Sequence, residues 1–336
     1  MRSDDIEIAQ STPTAAAIAK LVQAHYDLGE VVESEFLRRS FNQVYRLTFA
    51  GGQRAVARLC ADRPRGKANL LFEAAALEHW AQRGCPVSRC LPAASGAMSI
   101  DAPLPEGCRP LVLFEYLDGE ATGNSAEDIE AFAHGLAALH TAGESYRGTD
   151  SAYTLDLDCW LLGPPQRWLR ASTMTTELRT QFEMLGQRLH DRIISLGELQ
   201  EVLCHGDAHG QNNFIVRRPD GQHEARFFDF DEAGPGILAY ELAVYPWNLH
   251  PRTPDSELSD EKKTQWRQFL NAYREVRSIS DVDAEAIAPF MAVRQFWLLG
   301  EYAGRIPVWG SQTMPTDALR RQVDMLRRWE TLELSH

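Results

Sequence analysis

Closely spaced cysteine pairs are absent from this sequence of 336 residues. None of its six cysteines stands in a C-x-x-C arrangement, so neither a zinc site nor a disulfide framework is indicated. No apolar run approaches the roughly 20 residues of a membrane span. The opening MRSDDIEIAQ also lacks the apolar core of a signal peptide. These absences predict a cytoplasmic protein with reduced thiols and no membrane partner.

Basic residues are outnumbered by acidic residues. The chain has 34 Lys and Arg against 47 Asp and Glu, which gives a formal net charge of -13 at pH 7. A surface with this excess of negative charge repels phosphate backbones, so we expect no nucleic-acid partner. A cationic small molecule would be attracted to the same surface.

Several catalytic motifs are missing as well. The sequence has no P-loop, no G-x-G-x-x-G after a strand, no G-x-S-x-G elbow and no H-E-x-x-H zinc helix. None of these four motifs therefore indicates a function for this chain.

Hydrophobic periodicity predicts strands and a few helices in the first 120 residues. An amphipathic helix at 14–26 precedes EVVESEFL and NQVYRLTFA, whose alternating apolar residues are typical of half-buried strands. Paired glycines predict a hairpin turn at 50–53, with a return strand at 54–59. A buried strand is predicted within 109–120. This part of the chain should form a small sheet.

From about residue 125 onward the pattern predicts mainly helices. Ser125 is a candidate N-cap for an apolar-faced helix, and strand character returns only at 213–217 and 224–230. The G-P-G at 234–236 is predicted to be a turn. The chain is long for one hydrophobic core, so two lobes or two domains are expected. The overall prediction is an α+β protein with a small β-rich part followed by a larger helical part.

Polar residues are concentrated in two segments of the second part, CHGDAHGQNNFI at 204–215 and RFFDFDEAGPG at 226–236. Asp207 precedes Asn212 by five residues, which is the order and spacing of the kinase catalytic loop H-R-D-x-x-x-x-N. Asp229 follows after a short hairpin, where a kinase has its metal-binding acid. Such a set can orient an attacking hydroxyl and hold Mg²⁺ against nucleotide phosphates.

These segments resemble the aminoglycoside phosphotransferase and choline kinase-like small-molecule kinases, in which H-G-D-x-H-x-x-N is followed by I-D-[FW]-[DE]. The resemblance extends over most of the chain. It implies a bilobal protein kinase-like fold with a nucleotide-binding N-lobe at 1–118. The C-lobe at 119–336 would carry the catalytic loop, the metal site and the acceptor-binding helices.

The resemblance also implies a role for individual residues. Asp207 would be the catalytic base, and Asn212 and Asp229 would ligate Mg²⁺. Arg58 would contact the phosphates of ATP and pair with Glu73, with Glu78 one turn further on as the competing partner. The hinge that meets adenine would be formed by the backbone of Glu115, Tyr116 and Leu117.

Two features depart from the family pattern. Arg58 stands where the family usually has a strand lysine. Arginine keeps the charge but has a forked geometry. The segment RSFNQVY has no glycine, so Ser40 and Asn42 would have to cover the phosphates.

Three further polar residues in these two segments also have expected roles. His205 is expected to support the loop. His209 is expected to act in the loop scaffold or as a ligand contact, and Asp231 as a second metal contact or as the partner of a helix N-terminus.

The expected reaction is transfer of the γ-phosphoryl group of ATP to a hydroxyl of a small, amine-bearing acceptor of the aminoglycoside, choline-like or amino-alcohol class. The acceptor pocket is expected in the helices after residue 234, with AVYPWNLH and RQFWLLGEY as its walls. Two alternatives remain open on the same fold. One is a protein Ser/Thr kinase of the stress-response type, and the other is a pseudokinase that binds nucleotide without turnover.

Overall fold

The computed structural model describes residues 6–61, 69–163, 168–254, 256–309 and 314–334. Its N-terminal part is a twisted antiparallel sheet with two helices. The elements in chain order are α1 (Ala15–His25), β1 (Val31–Arg39), β2 (Gln43–Phe49), β3 (Arg54–Leu59), α2 (Leu70–Gln82), β4 (Cys90–Leu91), β5 (Ile100–Leu104) and β6 (Gly107–Glu115). The sheet runs β1-β2-β3-β6-β4, and β5 pairs with β6.

The sequence pattern explains this sheet. Alternate residues of β2 are buried, as its alternating apolar residues predict. Gly52 adopts a φ of 83°, which supplies the left-handed position of the β2–β3 hairpin. One face packs on α1, where Ile18 and Val22 join Tyr45 and Leu47 in a small core. Strand β1 lies at the edge and is mostly exposed.

The C-terminal part is mainly helical. Its elements are β7 (Glu120–Ala121), α3 (Ala126–Gly143), a π-helical turn (Asp158–Leu162), α4 (Thr176–Leu196), β8 (Glu201–Cys204), β9 (Asn213–Arg217), β10 (His223–Phe227), β11 (Gly234–Ile237), α5 (Leu238–Leu249), α6 (Asp260–Val276), α7 (Asp281–Trp309) and α8 (Thr316–Glu330). None of the helices described is long and apolar enough to cross a lipid bilayer.

The expected turn at 234–236 is wrong. These residues belong to β11, which pairs antiparallel with β8. A side chain at Gly236 would overlap Leu155, so the close approach of a neighbouring segment requires this glycine. The glycine-rich sequence reflects tight packing here, not a reversal of the chain.

Helix α5 lies at the centre of the larger core. Every residue from Leu238 to Trp247 is buried, so this helix is enclosed on all sides. It packs most extensively against α7. Tyr240 stacks on Trp160 with ring centroids 4.3 Å apart. The loop that follows β8 is hydrogen-bonded to this enclosed helix.

The two parts are joined through backbone contacts and a shared core. Phe227 at the end of β10 accepts a hydrogen bond from Ser88 N at 3.0 Å and donates one to Pro86 O at 2.9 Å. Trp80 of α2 donates from Nε1 to Leu139 O at 2.9 Å. Strand β6 ends at Glu115, whereas β7 joins β9 in the C-terminal part. Residues 116–119 therefore connect the two parts beside the cleft.

Two helix glycines should respond oppositely to alanine. A Cβ at Gly135 of α3 would lie 2.7 Å from Phe227 Cε2, whereas the nearest atom to a Cβ at Gly186 of α4 is 3.7 Å away. Gly186→Ala should raise the free energy of unfolding by about 0.5–1 kcal/mol, since alanine favours the helix. Gly135→Ala should lower it by about 1–3 kcal/mol through overpacking. Denaturant unfolding of both variants tests this, and a stabilised Gly135→Ala would contradict it.

Candidate active site

The loop between β8 and β9 is fixed at Gly206. This residue has a φ of 85°, and a side chain here would overlap the carbonyl of Glu232. Its N–H donates to Oε2 of Glu241 at 2.8 Å. Because Glu241 belongs to the enclosed helix α5, the turn before Asp207 is anchored to a buried helix of the C-terminal region.

His205 supports the loop through its two ring nitrogens. Burial lowers the pKa of His205 to about 4, so its ring is neutral at physiological pH. Nε2 donates to Phe228 O at 3.0 Å, and Nδ1 accepts from Asp207 N at 3.3 Å. His205 thus links the loop to the segment that carries Asp229, as expected of a supporting histidine.

Asp207 lies at the centre of a polar network. Asn212 Nδ2 donates to the backbone oxygen of Asp207 at 3.0 Å and to its Oδ2 at 3.1 Å. His209 Nε2 lies 3.6 Å from the same Oδ2. Arg294 pairs with the other carboxylate oxygen, Oδ1. Both oxygens are therefore held in a defined direction, and the side chain is 23% exposed.

Arg294 is a site residue that the sequence analysis missed. It lies on α7 with a side chain only 2% exposed, and its Nη1 donates to Tyr240 Oη at 2.8 Å and to Gly206 O at 3.2 Å. Its guanidinium stacks 4.0 Å from the ring centroid of Trp297. A signal was present, because Arg294 is the sole charged residue in the apolar run APFMAVRQFWLLG. A buried charge needs a partner, and Asp207 supplies it.

Asp229 has a strained backbone and two cationic neighbours. It is the one described non-glycine residue with a positive φ, 66°. Arg38 Nη2 lies 2.7 Å from its Oδ2, and Arg58 Nη1 lies 3.8 Å from its Oδ1. Enclosure and the carboxylate of Asp231 raise the pKa of Asp229 to about 6. Enclosure and the Asp231 carboxylate thus make a negative charge at Asp229 costly, and the guanidinium groups of Arg38 and Arg58 offset part of that cost.

The donor set fits a divalent cation that also takes ligands from a nucleotide. Asn212 uses its Nδ2 on Asp207, so its amide oxygen is the atom suited to a cation. Asp229 supplies a carboxylate on the facing segment. In the described part of the chain no three His, Cys, Asp or Glu side chains form a metal cluster. Mg²⁺ commonly binds one or two protein side chains and completes its shell with phosphates and water.

Arg58 pairs with Glu73 and not with Glu78. The two side chains are 4% and 3% exposed, and they form a bidentate pair with distances of 2.8 Å and 2.5 Å. Glu78 is exposed and lies near Gln82 and Arg89 instead. The pair connects β3 to α2 and holds Arg58 beside Asp229.

A cavity of about 350 Å³ opens beside this pair. Its walls are largely apolar, with Leu37, Val44, Val56, Phe114, Phe214 and Phe228 around the linker residues 115–117. Its size lies within the range of small-molecule sites.

The backbone of the linker is partly engaged. The carbonyl of Glu115 accepts from Ser88 Oγ at 2.6 Å, and its N–H donates to Arg89 O at 2.9 Å. The side chain of Glu115 pairs with Arg89. The backbone groups of Tyr116 and Leu117 are therefore better available to a ligand than those of Glu115.

A second cavity of about 270 Å³ adjoins the first. Both are lined by Arg38, Val44, Gln211 and Asp229. Asp207 and Asn212 line the second cavity, together with Trp247 and Trp297 from the expected helical walls. Asp229 thus lies where the two cavities meet.

The β1–β2 hairpin covers this junction. Ser40 and Asn42 line the second cavity, and Ser40 N donates to Asn42 O at 2.9 Å. The amide of Asn42 is engaged at both ends, donating to Asp231 Oδ2 at 2.6 Å and accepting from Ala61 N at 3.1 Å. Arg38, which the sequence analysis did not single out, is the hairpin side chain that reaches Asp229. Of the residues expected to bind nucleotide or metal or to act as the base, all except Glu73 line one of the two cavities; the supporting residue His205 lines neither.

A sheet-rich part and a helical part with these two adjoining cavities define the class of kinase-like phosphotransferases. The family model described as "Phosphotransferase enzyme family" matches residues 35–279. An uncharacterized protein of Deinococcus radiodurans is 33% identical over 315 residues, which cover 94% of this chain and 89% of that protein. The chain belongs to the phosphotransferase enzyme family.

Solved structures share the fold. A microcompartment-associated aminopropanol kinase superposes with a TM-score of 0.71 at 19% identity, over 94% of this chain and 95% of that chain. An amicoumacin kinase superposes with a TM-score of 0.73 at 16% identity, over 95% and 93%. The bilobal kinase-like α+β fold and the small-molecule phosphotransferase class expected from the sequence are confirmed.

Removing one partner of the Arg58–Glu73 pair should destabilise the fold more than removing both. Arg58→Met leaves a buried, unpaired carboxylate and should lower the free energy of unfolding by about 3–5 kcal/mol. The double variant Arg58→Met/Glu73→Leu should recover most of this loss. Arg89→Met removes an exposed bidentate pair with Glu115 and, as the control, should cost less than about 1 kcal/mol. A double variant no more stable than Arg58→Met would contradict the prediction.

The free energy of unfolding should decrease as the pH rises, because of Glu241. Burial raises the pKa of Glu241 to about 7, so the folded protein retains a proton that the unfolded chain loses at lower pH. The contribution is fully present below the ordinary glutamate pKa and is lost as pH rises through 7. Glu241→Gln can still accept from Gly206 N–H but does not titrate. Between pH 5 and pH 8 the parent should lose about 1–3 kcal/mol more than this variant. The free energies are measured by urea unfolding at each pH. The same pH dependence in the parent and in Glu241→Gln would refute the assignment.

Proposed function

We propose that this protein transfers the γ-phosphoryl group of ATP to a hydroxyl of a small molecule, with Mg²⁺ as the metal. The observation that carries the proposal is that Asp207, Asn212 and Asp229 line one polar cavity, and that Asp229 also lines the adjoining apolar cavity. The nucleotide would lie between an N-lobe of residues 1–118 and a C-lobe of residues 119–336. The cytoplasm, as expected from the sequence, is the proposed compartment.

The apolar cavity suits the adenine of a nucleotide. Its aromatic and aliphatic walls would enclose the ring, and the backbone of Tyr116 and Leu117 would meet its polar edge. Arg58 faces the same cavity and would contact the phosphates. The amicoumacin kinase of the same fold is in complex with AMP-PNP, Ca²⁺ and Ami, which supports nucleotide and divalent-cation use here.

Asn212 and Asp229 would hold the metal that accompanies the nucleotide. A bound Mg²⁺ neutralises charge on the β- and γ-phosphates. The pairing of Asp229 with Arg38 and Arg58 already brings positive charge to this point.

Asp207 would orient the acceptor hydroxyl and receive its proton. A bond forms between the acceptor oxygen and the γ-phosphorus while the bond from the γ-phosphorus to the β–γ bridging oxygen breaks, and ADP leaves. Little negative charge develops on the hydroxyl in a loose transition state, so orientation of Asp207 matters most. Asn212 and Arg294 fix that orientation from two sides.

The form of the second cavity favours a small acceptor over a protein segment. Phe41 of the hairpin stacks on Tyr302 of α7 with ring centroids 6.0 Å apart, so the hairpin and α7 contact each other where both line the cavity. A protein kinase would need an open groove at this place. The cavity volume of about 270 Å³ also lies at the lower end of ligand pockets.

Asp207→Asn should reduce turnover at least about 100-fold while retaining Mg-ATP binding, because it removes the proton acceptor but keeps the shape. Asp229→Asn should reduce both the turnover and the extent to which turnover depends on Mg²⁺. Asp220→Asn, at an exposed turn, serves as the matched control. The measurements are ADP release with a panel of hydroxylated amines, sugars and acids, and nucleotide affinity by calorimetry. A parent that binds Mg-ATP without any turnover would indicate a pseudokinase.

A further inference from the structure

The two walls of the acceptor cavity differ in charge. Helices α5 and α7 and the segment after α5 contribute Trp247, Asn248, Arg252, Arg294, Trp297 and Tyr302. This wall has two guanidinium groups and no carboxylate among its described lining residues. The carboxylates of the cavity all come from the catalytic loop and the segment after β10.

Three of those four carboxylates, Asp207, Asp229 and Asp231, have the partners named below, and the fourth, Glu232, is buried. Asp207 is paired with Arg294, and Asp229 with Arg38 and Arg58. Asp231 accepts a hydrogen bond from Asn42. An ammonium group of an acceptor would have to compete with these contacts and with the metal.

Arg252 differs from the other arginines that line the two cavities. Arg38, Arg46, Arg58 and Arg294 each form an ion pair with an acidic side chain. Within the described ranges no carboxylate lies at ion-pair distance from Arg252. Its guanidinium instead stacks on Trp247, 4.2 Å from the ring centroid. Among the residues that the structure describes, Arg252 is thus the cation of this cavity that has no acidic partner.

A second guanidinium increases the need for an anion. Arg294 lies 5.2 Å from the centroid of the same Trp247 ring. Partial enclosure and the charge of Arg294 lower the pKa of Arg252. Two like charges against one indole are stabilised when an anion binds beside them.

We propose that the acceptor carries a carboxylate as well as the hydroxyl that is phosphorylated, and that Arg252 binds this carboxylate. The proposal rests on the phosphotransferase function proposed above. A planar guanidinium matches a carboxylate with two parallel hydrogen bonds. A phosphate group would bring more negative charge next to the γ-phosphate, so the carboxylate is the better match. The cavity volume limits the acceptor to a small hydroxy acid, and an amino group elsewhere on it is compatible with the site.

Four three-carbon probes separate the two charges. D-Glycerate has a carboxylate, L-serine has a carboxylate and an amine, 1-amino-2-propanol has an amine, and glycerol has neither. Binding to the protein with Mg²⁺ and AMP-PNP is measured by calorimetry, and phosphoryl transfer is measured by ADP release from Mg-ATP. The two carboxylates should bind at least about 10-fold more tightly than the two compounds without one.

Arg252→Gln should remove this preference and leave the affinity for AMP-PNP unchanged. Arg252→Lys should retain part of the preference, because it keeps the charge without the fork. Arg274→Gln, an exposed position on α6 that lines neither cavity, is the matched control.

Three results would overturn the proposal. They are failure of both carboxylates to bind, tightest binding by the amine alone, and loss of AMP-PNP affinity in Arg252→Gln with the carboxylate preference intact. Turnover of glycerol or 1-amino-2-propanol without a carboxylate preference would reject the carboxylate site and retain the phosphotransferase. Arg252-dependent binding of glycerate with no phosphoryl transfer to any probe would reject the phosphotransferase instead.

Discussion

The hydrogen bond from Gly206 N–H to the Glu241 carboxylate is the contact on which the site depends. It fixes a left-handed turn to an enclosed helix, and it therefore sets the direction in which Asp207 leaves the backbone. Arg294 closes the arrangement from the other side by contacting both Gly206 O and the Asp207 carboxylate. A carboxylate held in this way loses little freedom when it meets a hydroxyl, which is the main contribution that a loose phosphoryl transfer requires.

Charge is balanced locally although the protein as a whole is strongly acidic. The formal net charge of -13 is a property of the whole chain. Inside the cleft, most arginines are matched to specific carboxylates, such as Arg58 to Glu73 and Arg294 to Asp207. In a site arranged in this way, each charged group of a ligand interacts mainly with one residue. The proposed contact to the acceptor is made by Arg252, which has no acidic partner among the described residues.

The two lobes meet at Asp229. This residue belongs to the segment after β10, but its neighbours Arg38 and Arg58 belong to the sheet of the N-terminal part. Asn42 makes a similar contact to Asp231 across the cleft. The strained backbone at Asp229 persists because these contacts and the packing around them hold it. Nucleotide, metal and acceptor would therefore all bind near one small region where the two lobes are in contact.

The sequence by itself determined the order of sheet and helices along the chain and the candidate catalytic loop, because these depend on local spacing. Asp207 and Asn212 stand five residues apart in one loop, and alternation along a strand marks its buried face wherever the strand packs. The partners of that loop were decided by the tertiary structure. Arg294 reaches Asp207 across 87 positions of the chain, and Arg38 reaches Asp229 across 191. No local pattern records which distant residues meet, since that follows from how helices and sheet pack, and the same packing turned the glycines of 234–236 into a strand.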